Sequence, residues 1–84
     1  MERKLEDKLK KIFSEVFEIK ISEINDDSSA DNVKKWDSLN HTNLILSLED
    51  EFKISFTADE IIDMLNFKLI KIIVQEKIES KKND

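Results

Sequence analysis

The sequence predicts an all-α fold, a small bundle of three longer helices and one short helix, with a long loop between helices one and two. Three observations predict it. Apolar residues recur at helical spacing in separate stretches, and good helix-capping residues precede the later ones. Hydrophobic residues at 39% are matched by charged residues at 39%, a balance that suits helices each burying one narrow stripe. A chain of 84 residues has material for one core, so residues 1–84 are read as a single domain with a tail at 80–84 expected to fray.

From Glu2 to Glu18, the residues Leu5, Leu9, Ile12, Phe13, Val16 and Phe17 form one stripe of a first helix. Residues 19–36 lose that period. Their run Asn25-Asp26-Asp27-Ser28-Ser29-Ala30-Asp31-Asn32 has short polar side chains that bond to nearby backbone and favour turns, and Ile21, Ile24 and Val33 are the expected pins to the bundle. Asp37-Ser38 supplies two adjoining N-cap candidates. After them Leu39, Leu44, Ile45, Leu48 and Phe52 define a second helix ending near Phe52, with Leu46 off the stripe. Ile54 and Phe56 alternate in a short link, and Thr57-Ala58-Asp59-Glu60 has the form of a capping box opening a short third helix that carries Ile61, Ile62, Met64 and Leu65. Asn66 caps a fourth helix to about Glu79, with Phe67, Ile70, Ile73, Val74 and Ile78 inward.

Composition excludes several kinds of chemistry. Without cysteine there is no disulfide, no cysteine nucleophile and no cysteine-held zinc, and one histidine makes a histidine metal site improbable. Any reactive thiol must be imported. A net charge of −5 argues against nucleic acid, whose binders cluster Lys and Arg. Between Trp36 and Leu65 stand seven acids (Asp37, Glu49, Asp50, Glu51, Asp59, Glu60, Asp63) and one base (Lys53), while both flanks are nearly balanced or basic. No apolar run has the length of a membrane span, and the charged start is unlike a signal peptide, so a cytoplasmic protein is expected.

The segment Val33-Lys34-Lys35-Trp36-Asp37-Ser38-Leu39-Asn40-His41 places a hydroxyl at the first turn of a helix, where backbone N–H groups point outward and the dipole is positive. A phosphate esterified to Ser38 would sit in a favourable field; the plain alternative is that Ser38 or Asp37 only caps the helix. Asp37-Ser38-Leu39, followed by Leu44-Ile45-Leu46-Ser47-Leu48-Glu49-Asp50-Glu51-Phe52, resembles the Asp-Ser-Leu motif and second helix of acyl carrier proteins, and the order of elements is similar along the whole chain. The resemblance implies a non-enzymatic carrier in fatty acid or polyketide-like biosynthesis, with no catalytic residue of its own. Its Ser38 would receive 4′-phosphopantetheine from coenzyme A through a phosphopantetheinyl transferase and hold an acyl or aminoacyl group as a thioester. Asp37 would assist transferase recognition, and Leu39 would be the apolar residue gripped beside the arm.

A carrier that must leave each partner quickly is suited by charge attraction. The one-sided acids Glu49, Asp50, Asp59, Glu60 and Asp63, with Leu39 and Leu46 exposed among them, are therefore the face expected to meet basic patches on acyl-loading and acyl-transferring enzymes, with the carrier acting as a monomer. The plain alternative for any one of these acids is a solvated helix face. The chain departs from the family in having Lys34-Lys35-Trp36 where glycine is common, with Trp36 read as a loop anchor, and Asn43 where fatty-acid carriers tend to have an acid. The serious alternative is an acidic helical interaction module without a covalent cofactor. Two others are weaker. A Ser38–His41 hydrolase has no glycine for a strained nucleophile turn, so His41 is read as a surface residue near the arm. A calcium loop through Asp27, Ser29 and Asp31 has Asn32 and Ser38 where glycine and glutamate are needed.

Overall fold

Helix α1 (Glu2–Phe17) turns Leu9, Phe13 and Phe17 fully inward at steps of four, with Leu5, Ile12 and Val16 half-buried beside them. The structure is a computed structural model that describes residues 2–82 and the side chains of 4–81. The helix closes one residue before the expected Glu18 because Glu18 itself takes a left-handed backbone with φ of 55°, and Ser14 Oγ donates to the Ile19 carbonyl at 2.6 Å. With no glycine available, a residue carrying a Cβ occupies a conformation that costs roughly 1–2 kcal/mol. Helix α2 (Ser38–Phe52) ends the same way, on Lys53 with φ of 56°, whose N–H donates to the Glu49 carbonyl.

The loop between them is packed. Ile24 and Val33 are buried as expected, whereas Ile21 is 49% exposed, because it opens a 3₁₀ turn (Ile21–Glu23) none of whose residues reaches the core. The polar run saturates its own backbone: buried Ser28 Oγ accepts from Asn25 N, Asn25 Oδ1 from Asp27 N, Ser29 Oγ from Asp31 N and Asn32 Oδ1 from Ser29 N. Of the three oxygen donors a calcium loop would draw on, Ser29 Oγ is engaged within the loop itself. Among the described residues no group of three or more His, Cys, Asp or Glu could hold a metal ion.

Helix α3 (Ala58–Ile62) starts at the expected capping box, with Thr57 N donating to Glu60 Oε1 at 2.8 Å and Glu60 N to Thr57 Oγ1 at 3.2 Å. It is shorter than expected: Met64 and Leu65 lie beyond its end. Helix α4 (Phe67–Lys82) has its first donors satisfied by three outside acceptors: Ser28 O takes the N–H of Phe67, Asp26 O that of Lys68, and Asn66 Oδ1 that of Leu69. A helix leaves its first four N–H groups without internal partners, so the loop and the Asn66 cap together complete this end. Phe67, Ile70 and Val74 are buried, Ile73 and Ile78 half-buried. Helix α4 continues past Glu79, so residues 80–82 of the expected frayed tail are helical and 83–84 lie outside the described residues.

Lys71 locks three pieces together. Its Nζ lies 3.0 Å from Glu6 Oε1 on α1 and 3.3 Å from Asp26 Oδ1 on the loop. Burial pulls its pKa down, but hydrogen bonds to Glu6 and Asp26 more than offset this and leave it above the ordinary lysine value. The hydrogen bond from Lys71, helped by Lys10, holds Glu6 below the ordinary carboxylate value. A lowered carboxylate pKa contributes stability that is complete above the unfolded value of about 4.3 and is lost as pH falls through the folded value. Lys71→Met is therefore expected to cost about 1 kcal/mol at pH 7, a partly exposed network being worth little more. In urea titrations that cost should shrink towards zero as the pH is taken below the carboxylate range.

Candidate functional site

Asp37 is the N-cap of α2: its backbone is extended, its Oδ1 accepts from Asn40 N at 2.8 Å, and its carbonyl accepts from His41 N at 2.8 Å. Asn40 also donates to the Lys35 carbonyl at 2.8 Å, which fastens the loop end to the helix. Since Asp37 does the capping, Ser38 is released from it. Ser38 is the first helical residue, exposed, and its hydroxyl has no hydrogen-bond partner among the described residues. It stands at the positive end of the helix dipole, beside outward-pointing N–H groups suited to an anionic substituent.

Trp36 is a loop anchor, as expected, and more. Its ring lies almost parallel to Phe17 at 4.9 Å and meets the edge of Phe13 at 5.5 Å. The His41 ring lies nearly parallel to it, with centroids 6.1 Å apart. Trp36 Nε1 donates to His41 Nδ1 at 3.0 Å, and His41 Nε2 lies 3.2 Å from the Ile61 carbonyl. An accepting Nδ1 requires the proton on Nε2, so the neutral ring donates to Ile61 and joins loop, α2 and α3. His41 is thus half-buried and held at both nitrogens, not a surface residue. Neither nitrogen is turned to Ser38, which removes the hydrolase arrangement. The sequence carried one cue for this: Trp36 and His41 flank the cap at a separation that brings both to the base of the helix.

Beside Ser38 opens a cleft of about 460 Å³. Ile61, Ile62, Met64 and Leu65 line it from α3 and the following link, Ala30 from the loop, and Trp36, Asp37 and His41 from the start of α2. Its apolar wall went unassigned from sequence because Ile62 and Leu65, read as helix residues, are 69% and 65% exposed.

The predicted partner residues divide into two groups. Leu39 is 71% exposed and Leu46 is exposed, as are Asp50, Asp59 and Asp63, so Leu39 does not join the buried stripe of α2. Glu49 and Glu60 are half-buried and engaged: Glu49 Oε2 accepts from Phe56 N at 2.9 Å, and Glu60 closes the capping box and pairs with Lys77 at 2.9 Å. The Thr57 N–H, with help from Lys77, holds the Glu60 pKa below the ordinary value.

Comparison with known proteins bears on this arrangement. A family model described as the phosphopantetheine attachment site matches residues 7–67. Among solved structures, the chain is similar to a holo acyl carrier protein from Geobacter metallireducens, at 35% identity and a TM-score of 0.84, covering 93% of this chain and 90% of that one. A search of curated protein sequences gives no match.

Proposed function

The chain belongs to the family of phosphopantetheine-attachment carrier proteins, shuttles for a covalent 4′-phosphopantetheine arm and not enzymes, and from that we propose that Ser38 is the attachment residue. The cargo is an acyl or aminoacyl group held as a thioester and delivered to partner enzymes by a monomeric, cytoplasmic carrier. The observation that carries the reading is the exposed, unengaged hydroxyl at the first residue of α2, with capping delegated to Asp37. The residues there fit the group. The start of α2 suits a phosphodiester, the cleft offers an apolar wall along which an arm can lie, and the bound group supplies the thiol that this cysteine-free chain lacks.

The test is to incubate the purified chain with coenzyme A and a broad-specificity phosphopantetheinyl transferase, then weigh it and map the modified peptide. One added arm on the peptide holding Ser38 is expected. An unmodified chain would leave only an acidic helical interaction module.

Partner enzymes are expected to present Lys and Arg to the exposed acids Asp50, Asp59 and Asp63, of which Asp50 has only a loose, exposed contact with Lys53 at 3.9 Å, with Leu39 and Leu46 as the small apolar contact. Long-range attraction speeds encounter without a large dry interface, which suits a carrier that must leave again. Reversal of Asp50 and Asp63 together to lysine should slow transfer from the cognate loading enzyme about tenfold at low salt, with the loss shrinking as salt screens it. These two are the informative positions, since reversing Glu49 or Glu60 would also break backbone bonds. Equal rates at low salt would remove the acidic face from the proposal.

A further inference from the structure

The cleft beside Ser38 is apolar along its wall and polar at its inner end. An acyl chain tethered at the start of α2 and running inward along the buried face of that helix meets His41 first, then Leu44 one turn on and Leu48 after it, because residues three, four and seven apart share a helix face. Leu44 and Leu48 are fully buried. His41 stands before them with both ring nitrogens engaged, at 3.0 Å to Trp36 Nε1 and 3.2 Å to the Ile61 carbonyl. To let hydrocarbon past, α3 must part from α2. That movement breaks the His41–Ile61 bond and leaves an imidazole N–H and a carbonyl against an alkyl chain that can bond to neither, while the Trp36–His41 bond, internal to the base of α2, keeps the ring in the path. Helix α3 is the element that would have to move, and with five residues it has little stability of its own beyond its cap, the Glu60–Lys77 pair and this contact.

We propose that His41 is a bolt that determines cargo specificity. It holds α3 shut against α2, so that a cargo on Ser38 lies in the outer cleft against Ile62 and Leu65 and does not penetrate to Leu44 and Leu48. The inference rests on attachment at Ser38. Its consequence is that contact with the protein stops growing once a chain has covered the outer cleft, so longer chains extend into solvent and gain no further protection.

The experiment loads wild type, His41→Ala and Trp36→Phe with butyryl and octanoyl arms, using the two acyl-coenzyme A thioesters and a broad-specificity transferase. Mass spectrometry verifies attachment, and methyl NMR reads where the chain lies. In wild type both cargoes are expected to shift the Ile62 and Leu65 methyls and to leave those of Leu44 and Leu48 in place. In His41→Ala the octanoyl chain is expected to shift Leu44 and Leu48 as well, while the butyryl chain does not. Trp36→Phe keeps the aromatic stack and removes one bond, so it is expected to give the same octanoyl shifts at smaller amplitude. That variant decides the matter if His41→Ala does not fold. Octanoyl-dependent shifts at Leu44 and Leu48 in wild type would overturn the bolt, as would their absence in both variants. No added mass in any sample would instead overturn attachment itself.

Discussion

Ser38→Ala is expected to abolish transferase loading completely while leaving the thermal melt of the chain essentially where it was. The two halves of this result come from one division of labour. Asp37 supplies the side-chain oxygen that caps α2, at 2.8 Å from Asn40 N, whereas the Ser38 hydroxyl bonds to nothing among the described residues. Removing an exposed, unengaged hydroxyl changes stability by no more than about 0.5 kcal/mol, and alanine is the better helix former by a similar amount. Chemistry is affected differently, because without that oxygen there is no bond for the phosphate to make. Loading is measured by intact mass after incubation with coenzyme A and transferase, stability by circular dichroism. An arm still attached to the Ser38→Ala chain would show that another hydroxyl is the acceptor; a collapsed melt would show that Ser38 is structural.

Phe13→Ala is the second large effect, expected to remove about 3–5 kcal/mol of stability. Phe13 is fully buried and meets three other rings at near-perpendicular angles, Phe17 at 5.3 Å, Trp36 at 5.5 Å and Phe67 at 4.9 Å. It is the point where α1, the loop and α4 touch through aromatic edges. A void at that point cannot be filled by one neighbour relaxing, since each of the three is fixed by a different element. Domains of this kind hold only about 5–15 kcal/mol in total, and for one this small each kcal/mol moves the midpoint by roughly 4–8 °C. A fall of roughly 12–40 °C in the melting temperature follows. Ile72→Ala, at a position 42% exposed, is the control and should stay within about 0.5 kcal/mol. Similar melts for the two variants would mean that Phe13 is not the hub its contacts describe.

Much of this architecture was legible in the sequence because its signals are local. The stripe from Leu9 to Phe17, the Thr57–Glu60 box and the Asn66 cap each depend on residues within one or two turns, and the structure places each of them as expected. What escaped depends on separation in the chain. Nothing near Glu49 announces that its carboxylate accepts the Phe56 N–H, seven residues on, and an acid in an acidic run reads as solvent-facing. His41 could be placed on α2 but not against the Ile61 carbonyl, twenty residues away, so a bonded interior group was read as a surface one. Ile21 misled in the opposite sense: an isoleucine in a polar loop promises an anchor, yet a loop needs only as many pins as its path meets core surface, and Ile24, Val33 and Trp36 suffice. Leu39 fits the apolar count of α2 but falls before its buried face begins, and its exposure beside Ser38 is a feature that periodicity alone could not distinguish from core.

The placement of Trp36 has a practical consequence. It is the only tryptophan in the chain, it lines the cleft two residues before Ser38, and its indole N–H is bonded to the ring that closes the inner end of that cleft. Indole emission responds to the polarity around the ring and to the partner of its N–H. The intrinsic fluorescence of the native protein is therefore expected to change with cleft occupancy, so that loading of the proposed cargo can be tested in real time without a dye or an engineered label.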